Sequence, residues 1–248
     1  MQQRRVNESA QEPLLDLVHG FPGTGKSLMI VWMRQLMEDG LGWVHGVQFV
    51  CLAFQNSMAA QINGFTLHHW SGIPARGEDG GATGDRHKQS MKCQALRVII
   101  IDEVSMISAE LLGALEHVVS AAVRVRGTYK KRQNGDNRRF GGVNVVMCAD
   151  FWQLHPVSGT FLASNPIYVS AGRAQNALSM FWEDNENSIH SFWQLTQLMR
   201  CTDPWYNNFL QQCRDGDLSM EMYSMVYLHS NRLAHIVLAM LTQSMILC

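Results

Sequence analysis

A glycine-rich loop near the start of the chain constrains the possible folds more than any other feature. Residues 20–27 read G-F-P-G-T-G-K-S and match the pattern G-x-x-x-x-G-K-[ST]. The apolar run 14–18 before it predicts a buried strand, and residues 27–37 after it have helical spacing. Strand, glycine turn and helix N-terminus together predict a phosphate-binding loop, because backbone N–H groups and the helix dipole converge on one anion. A chance glycine turn is the alternative, and both flanks argue against it.

The residues of this loop predict ATP and Mg²⁺ as ligands. Lys26 would reach the β- and γ-phosphates, and the Ser27 hydroxyl would bind Mg²⁺. The glycines let the backbone curl around the phosphates. We therefore take as candidate nucleotide-binding residues Gly20, Gly23, Thr24, Gly25, Lys26 and Ser27.

Strand and helix candidates alternate through the first half of the chain. Strands are predicted at 14–18, 47–54, 96–101 and 143–148, and helices at 27–37, 58–62 and 109–122. The strands are apolar throughout, as expected when both faces of a sheet are covered. This alternation predicts an α/β fold with a mostly parallel, doubly wound sheet. Two surface loops are expected at 72–85 and 127–142, and a further helix at 205–213.

Two carboxylates follow the most apolar of these strands. Residues 98–101 read V-I-I-I, and Asp102 and Glu103 come next, which places both acids at the carboxyl edge of the sheet, where the phosphate loop also opens. Asp102 is suited to hold Mg²⁺, and Glu103 to orient or deprotonate the attacking water. Alone, the pair fits a structural role equally well. Together with the loop upstream, it indicates ATP hydrolysis.

Four segments, in order, carry a family resemblance. Residues 102–106 resemble D-E-x-S-M, and residues 59–68 resemble A-A-x-x-I-x-G-x-T-[IL]-H. Residues 140–157 resemble F-G-G-x-x-x-[IV]-x-x-G-D-F-x-Q-L-P-P-V, and residues 198–216 resemble L-x-x-x-x-R-x-x-D-x-x-F-x-x-x-L-x-x-[IL]-R-x-G. Across about residues 14–219 the chain resembles the Pif-type (petite integration frequency) DNA helicases of superfamily 1, subclass B, which include the helicase parts of Helitron transposons.

The resemblance implies an organisation into motor domains. Residues 1–190 are expected to form a RecA-like ATPase domain, and residues 191–248 a truncated or divergent entry to a second motor domain. After Gly216 the chain lacks the late motifs H-K-x-Q-G-x-T and A-x-S-R. We therefore expect a fragment, a truncated form or a degenerate copy of such a helicase.

The resemblance also implies residue roles. Lys26, Asp102 and Glu103 match the phosphate, Mg²⁺ and catalytic positions, Gln153 matches the γ-phosphate sensor, and Arg200 matches the arginine that reaches the γ-phosphate. Residues implied at single-stranded DNA are Gln55, Asn56, Thr66 and His68. Trp70 either stacks on a base or belongs to the core.

The function implied is that of an ATP-dependent 5′→3′ DNA helicase, which couples ATP hydrolysis to translocation on single-stranded DNA. Roles in DNA repair, recombination and telomere maintenance, in the nucleus or the mitochondrion, follow from the resemblance alone. The alternative is a degenerate, non-motor module that binds ATP and DNA without unwinding. Protein partners are not indicated.

Charge and cysteine patterns add weaker expectations. The net charge is −1, but residues 124–139 contain seven basic residues and one acid, so this basic window is either a solvated loop or a DNA contact. No pair of the six cysteines has C-x-x-C spacing, which favours free thiols in a reducing compartment over a zinc or redox site. The polar N-terminus does not resemble a signal peptide. The apolar run 236–248 is shorter than the roughly 20 residues of a membrane span, which favours a core or partner-facing helix and no membrane partner.

Overall fold

The computed structural model describes residues 12–74, 86–123 and 130–228. Within them lie six β-strands: β1 Leu15–Gly20, β2 Phe49–Ala53, β3 Phe65–Thr66, β4 Val98–Ile101, β5 Asn144–Ala149 and β6 Ser191–Leu195. The α-helices of the same residues are α1 Lys26–Gln35, α2 Asn56–Gln61, α3 Leu67–Ser71, α4 Arg86–Cys93, α5 Ala109–Ala122, α6 Arg173–Trp182, α7 Pro204–Asp215 and α8 Met220–Leu228.

All six strands belong to one parallel sheet in the order β3-β2-β4-β5-β1-β6. The strand that carries the phosphate loop, β1, lies between β5 and β6, while β4 lies between β2 and β5. Crossover connections are required between parallel neighbours, and helices supply most of them. The predicted α/β fold with a doubly wound parallel sheet is confirmed.

Side chains that alternate along the strands build a core on each face of the sheet. Leu17, Leu52 and Ile101 pack in one cluster with α3, α5 and α6. Val18 and Ile100 pack in a second cluster with α1 and α2. Because both faces are covered, β4 is buried at every position, which explains why the central strands read as continuous apolar runs.

Helix ends follow the sequence closely where a capping residue is present. The Ser108 side chain accepts a hydrogen bond from the Leu111 N–H at the start of α5, as Thr66 does from His69 at the start of α3. Such caps satisfy N–H groups that have no partner inside the helix. The predicted helix 109–122 is confirmed at both ends.

The described residues divide into two compact units. The first contains the residues up to Gly20 and the stretch Lys26–Leu195, with the whole sheet. The second contains Phe21–Gly25 and the residues from Thr196 onward, with α7 and α8. In the second unit, Asp203 caps α7, and Gly216 ends it in the left-handed conformation. The predicted motor-domain boundary at residue 190 stays a prediction, although β6 belongs to the sheet of the first unit.

Six of the described elements were not predicted from the sequence: β3, β6, α3, α4, α6 and α8. The predicted loop 72–85 lies largely outside the described residues, as do the apolar run 236–248 and the first part of the basic window, residues 124–129. Of the cysteines in the described part, Cys51, Cys93 and Cys148 are free and buried, whereas Cys201 is half-buried and Cys213 is exposed. No helix in that part of the chain is long and apolar enough to cross a bilayer.

Candidate nucleotide site

The flanks of the phosphate loop lie in the first unit. β1 ends at Gly20 and α1 begins at Lys26. The Lys26 side chain is buried, and its Nζ donates a hydrogen bond to the Gly20 carbonyl oxygen at 2.8 Å. The ammonium group is therefore held at the root of the loop. The half-buried Ser27 follows at the N-terminus of the ten-residue helix α1, where the helix dipole favours an anion.

The turn of the loop, Phe21–Gly25, belongs to the second unit. Thr24 closes it, because both its N–H and its hydroxyl donate to the Phe21 carbonyl oxygen, at 3.2 and 2.8 Å. Gly23 and Gly25 have φ values of +81° and +96°, a region that L-residues with a side chain rarely adopt. The positions of these glycines in the motif thus have a direct conformational reason.

Asp102 and Glu103 are both buried in the first unit, directly after β4. The Glu103 N–H donates to Asp102 Oδ1 at 3.0 Å, and the Asp102 N–H donates to the Leu52 carbonyl of the neighbouring strand at 2.8 Å. Burial raises the pKa of Asp102, against the opposing effects of the Glu103 hydrogen bond and the Lys26 charge. The lysine and both acids therefore interact at the same edge of the sheet, as the sequence predicts.

Glu103 has the most unusual environment of these groups. Its backbone is left-handed, with φ 49° and ψ 48°, a conformation that costs a residue with a side chain about 1–2 kcal/mol. Burial raises the pKa of its carboxyl group to about 7; the Lys26 charge opposes this, and the carboxylates of Asp102 and Asp150 add to it. Its buried Oε2 has no hydrogen-bond partner among the described residues. Such a carboxyl group is suited to accept a proton near neutral pH.

Gln153 lies in the turn that follows β5. Its N–H donates to the Asp150 carbonyl oxygen at 3.1 Å, and Asp150 Oδ1 accepts from the Trp152 N–H, also at 3.1 Å. The Gln153 side chain is half-buried, and within the described part of the chain its Nε2 has no hydrogen-bond partner. An amide without a partner at the carboxyl edge of the sheet is available to a ligand.

Arg200 and Arg214 both contact the loop turn within the second unit. The N–H groups of Met199 and Arg200 donate to the Gly23 carbonyl oxygen at 2.7 and 3.2 Å. The Arg214 guanidinium stacks over the Phe21 ring, 4.1 Å from its centroid. The backbone at Arg200 is thus fixed to the turn, while its side chain is exposed.

The four residues predicted at DNA lie near the carboxyl ends of β2 and β3, which are parallel neighbours. Gln55 and Asn56 are exposed at the start of α2. Thr66 caps α3, and His68 Nδ1 lies 3.0 Å from the Ile73 carbonyl oxygen while its ring packs near Phe54. These positions lie along one edge of the sheet, but His68 is already engaged inside the protein.

Trp70 is a core residue. It is buried and belongs to the cluster beneath α3 and α5. The alternative prediction, that Trp70 stacks on a DNA base, is therefore excluded in this conformation.

The prediction that the basic window contacts DNA is wrong for most of the described residues of the window. Arg132 and Arg138 are buried and form ion pairs with Glu12, at 2.9 and 3.3 Å. Arg139 donates to Ser179 Oγ, and Lys130 donates to the Ser120 and Val123 carbonyls. These cations hold the segment to the body of the first unit, whereas Lys131 is exposed. Sequence reading missed this because the partner Glu12 lies about 120 positions away.

Sequence reasoning also missed two residues that border the site in the first unit, His19 and Asp150. Both are buried, and His19 Nε2 lies 3.8 Å from Asp150 Oδ1. A histidine at the end of an apolar strand, one position before the loop, was the available signal.

Comparisons with known proteins identify the family and the fold of the chain. A family model described as PIF1-like helicase matches residues 3–221. The ATP-dependent DNA helicase RRM3 of Saccharomyces cerevisiae is 32% identical over 166 residues, which cover 63% of this chain and 20% of that protein. The ATP-dependent DNA helicase PIF1 of Homo sapiens is 30% identical over 202 residues, covering 74% of this chain and 27% of that protein. The chain thus spans about a quarter or less of the length of these relatives.

Solved structures of Pif1 helicases share the fold, and two of them illustrate the match. The crystal structure of Pif1 helicase from Candida albicans has a TM-score of 0.60 and 23% identity, covering 88% of this chain and 44% of that one. The structure of Pif1 helicase from Bacteroides in complex with ADP-AlF3 and single-stranded DNA has a TM-score of 0.58 and 22% identity, with coverages of 93% and 49%.

Proposed function

The chain belongs to the PIF1-like helicase family, and we propose on that basis that it hydrolyses ATP as part of an ATP-dependent DNA helicase. The observation that carries the proposal is Glu103: a buried carboxyl group with a pKa of about 7 and a free oxygen, beside Asp102 and Lys26. A general base is most effective when its pKa lies near the working pH. This environment fits activation of a water molecule better than it fits a structural carboxylate.

The chemistry assigns distinct roles to the neighbouring groups. The N–H groups of the loop would bind the phosphates of ATP, and Lys26 would move from the Gly20 carbonyl oxygen toward the β- and γ-phosphates. Glu103 would orient and deprotonate the attacking water. Gln153 would contact the γ-phosphate through its amide, and Arg200 would supply a positive charge to the transferring group.

The donor set also fits Mg²⁺. The Ser27 hydroxyl and the Asp102 carboxylate are hard oxygen donors, the kind that Mg²⁺ prefers. Mg²⁺ in nucleotide sites is commonly held by one or two protein groups together with the substrate phosphates. When bound, the ion would neutralise charge on the phosphates.

Single-stranded DNA is the proposed nucleic-acid substrate, with 5′→3′ polarity. The structure of Pif1 helicase from Bacteroides, which has a similar fold, contains ADP-AlF3 and single-stranded DNA. In this chain Gln55 and Asn56 are exposed at the start of α2, where amide groups can contact phosphates without sequence preference. Thr66 and His68 would border the same path. A place in DNA repair, recombination or telomere maintenance, in the nucleus or the mitochondrion, completes the proposal.

The test measures Mg²⁺-dependent ATP hydrolysis with and without single-stranded DNA. We expect hydrolysis that Glu103→Gln abolishes. We also expect Gln55→Ala combined with Asn56→Ala to weaken single-strand binding about 10-fold, as for the loss of two hydrogen bonds. Gln133 and Asn134 form the same exposed dipeptide elsewhere, and their double alanine variant is the matched control.

Two results would contradict the proposal. Absence of Mg²⁺-dependent hydrolysis in the parent chain would favour a module that only binds ATP and DNA. Displacement of a 3′-tailed rather than a 5′-tailed duplex would contradict the polarity.

A further inference from the structure

A buried histidine occupies the last position before the phosphate loop. His19 precedes Gly20 in β1, and the Gly20 carbonyl oxygen accepts the hydrogen bond from Lys26 Nζ. Because His19 and Gly20 are adjacent, a contact that fixes the His19 side chain also restrains the backbone at Gly20, where the phosphate loop begins.

The imidazole of His19 lies between two aromatic rings from neighbouring strands. Phe151, after β5, stacks at a centroid distance of 6.1 Å and an interplanar angle of 8°. Phe192, in β6, stacks at 6.0 Å and 22°. β5 and β6 are the two strands that flank β1. The ring thus contacts one side chain from β6 and one that directly follows β5, on the two sides of β1.

The same imidazole faces the turn that carries Gln153. His19 Nε2 lies 3.8 Å from Oδ1 of the buried Asp150. That oxygen also accepts from the Trp152 N–H, and the Asp150 carbonyl oxygen accepts from the Gln153 N–H. Asp150 therefore shapes the turn with its side chain and its backbone. The His19 side chain adds a contact with this turn to the pairing of β1 with β5, in which His19 lies opposite Ala149.

We propose that His19 is a positioning residue for ATP hydrolysis. It holds the turn 150–153 against β1 and thereby fixes the position of the Gln153 side-chain amide. The proposal rests on the proposed function, in which Gln153 contacts the γ-phosphate. Displacement of a reacting or orienting group by about 1 Å can cost up to roughly 10²-fold in rate. A group that fixes the turn acts on catalysis without touching the nucleotide.

Two variants of the full chain separate the nitrogen from the ring. His19→Phe keeps an aromatic ring between Phe151 and Phe192 but removes the group that faces Asp150. His19→Gln can place an amide nitrogen where Nε2 lies. His117→Gln, at an exposed histidine of α5, is the control.

The first measurement needs no activity. Hydrogen–deuterium exchange at the Trp152 and Gln153 amides should be faster in His19→Phe and close to the parent rate in His19→Gln and His117→Gln. Unchanged exchange in His19→Phe would overturn the proposal, whether or not the chain hydrolyses ATP. A parent chain without hydrolysis would contradict the proposed function, and amide exchange would still decide the role of His19.

The second measurement is single-turnover hydrolysis with equilibrium binding of ATP. We expect His19→Phe to lower the hydrolysis rate about 10-fold and to change the ATP dissociation constant less than about twofold, the pattern of a loss confined to the transition state. His19→Gln should restore most of the rate. In a Gln153→Ala background, His19→Phe should have no further effect, because both changes act through one group. Multiplicative losses in the double variant would show that His19 does not act through Gln153.

Discussion

The main-chain N–H of Arg200 donates a hydrogen bond to the carbonyl oxygen of Gly23, with 3.2 Å between nitrogen and oxygen. A Cβ atom added at Gly23 would lie 2.9 Å from Cβ of Arg200, closer than two such carbons approach without displacement. The absence of a side chain at this glycine therefore serves two purposes: it permits the left-handed turn, and it lets the segment at Arg200 approach.

Gly23→Ala should weaken ATP binding about 10-fold or more. The added methyl group meets Arg200, and a positive φ costs alanine about 1–2 kcal/mol, so the turn shifts from its phosphate-binding shape. A fluorescent ATP analogue measures the change. Gly135→Ala is the control, because Gly135 also has a positive φ, +92°, but open space around it. Equal affinities for Gly23→Ala and Gly135→Ala would contradict the prediction.

Lys26→Ala should weaken ATP binding by several kcal/mol. The substitution removes the cation at the phosphates, and charge-assisted hydrogen bonds are roughly twice as strong as neutral ones. The exposed Lys131 provides the control variant Lys131→Ala, which changes net charge equally. Equilibrium titration should show a loss only for Lys26→Ala; a similar small loss in both would mean that Lys26 does not contact the nucleotide.

Glu103→Gln should bind ATP but turn it over about 10²-fold more slowly. The amide keeps the size of the side chain and removes its ability to accept a proton, and general bases contribute on this scale. Single-turnover hydrolysis with a parallel binding titration separates the two effects. The exposed Glu183, changed to Gln, is the matched control. Hydrolysis at the parent rate would exclude Glu103 as the base.

The raised pKa of Glu103 predicts a pH-dependent effect on stability in the absence of nucleotide. Burial raises the pKa from 4.5 to about 7, so between these values the folded chain holds a proton that the unfolded chain releases. The contribution of Glu103 to the free energy of unfolding therefore falls as pH rises from 4.5 to 7, by up to roughly 3 kcal/mol.

Urea denaturation of the parent and of Glu103→Gln at pH 5 and pH 8 checks this effect. Glutamine carries no such penalty, so the variant should gain stability over the parent at pH 8 and much less at pH 5. The same difference at both values would show that Glu103 titrates normally.

Arg138→Ala should destabilise the first unit by about 2 kcal/mol, because it removes a buried guanidinium whose charge-assisted hydrogen bonds reach the more exposed Glu12. Burial acts to raise the pKa of Glu12, but the hydrogen bonds and charges of Arg132 and Arg138 outweigh it and lower that pKa. Denaturation compared with Lys131→Ala measures the loss. A fall in DNA affinity without a loss of stability would show instead that the basic window contacts DNA.

The sequence predicted the parts of the fold that depend on local pattern. The apolar runs of β1, β2, β4 and β5 are buried on both faces, and their composition reflects this. β6 escaped prediction because it lies at the edge of the sheet, where Phe192 and Trp193 are exposed and no apolar run is required.

In the candidate site too, only the residues with a local sequence pattern could be predicted. Lys26, Asp102 and Glu103 were found through motif and spacing, and the structure brings them together. The left-handed backbone of Glu103 and the contact between His19 and Asp150 depend on tertiary packing, so no local pattern announces them.

The buried thiols of the sheet have a practical consequence. Burial raises the pKa of Cys51 to about 12 and that of Cys148 well above its ordinary value. Alkylating reagents attack the thiolate, so at neutral pH these two cysteines are almost unreactive while the sheet is closed. Cys213 on α7 is exposed to the reagent, although partial burial raises the pKa of its thiol as well. Pulse alkylation of Cys51 and Cys148, measured by mass spectrometry, would thus report transient opening of the sheet. It requires no substitution in the chain.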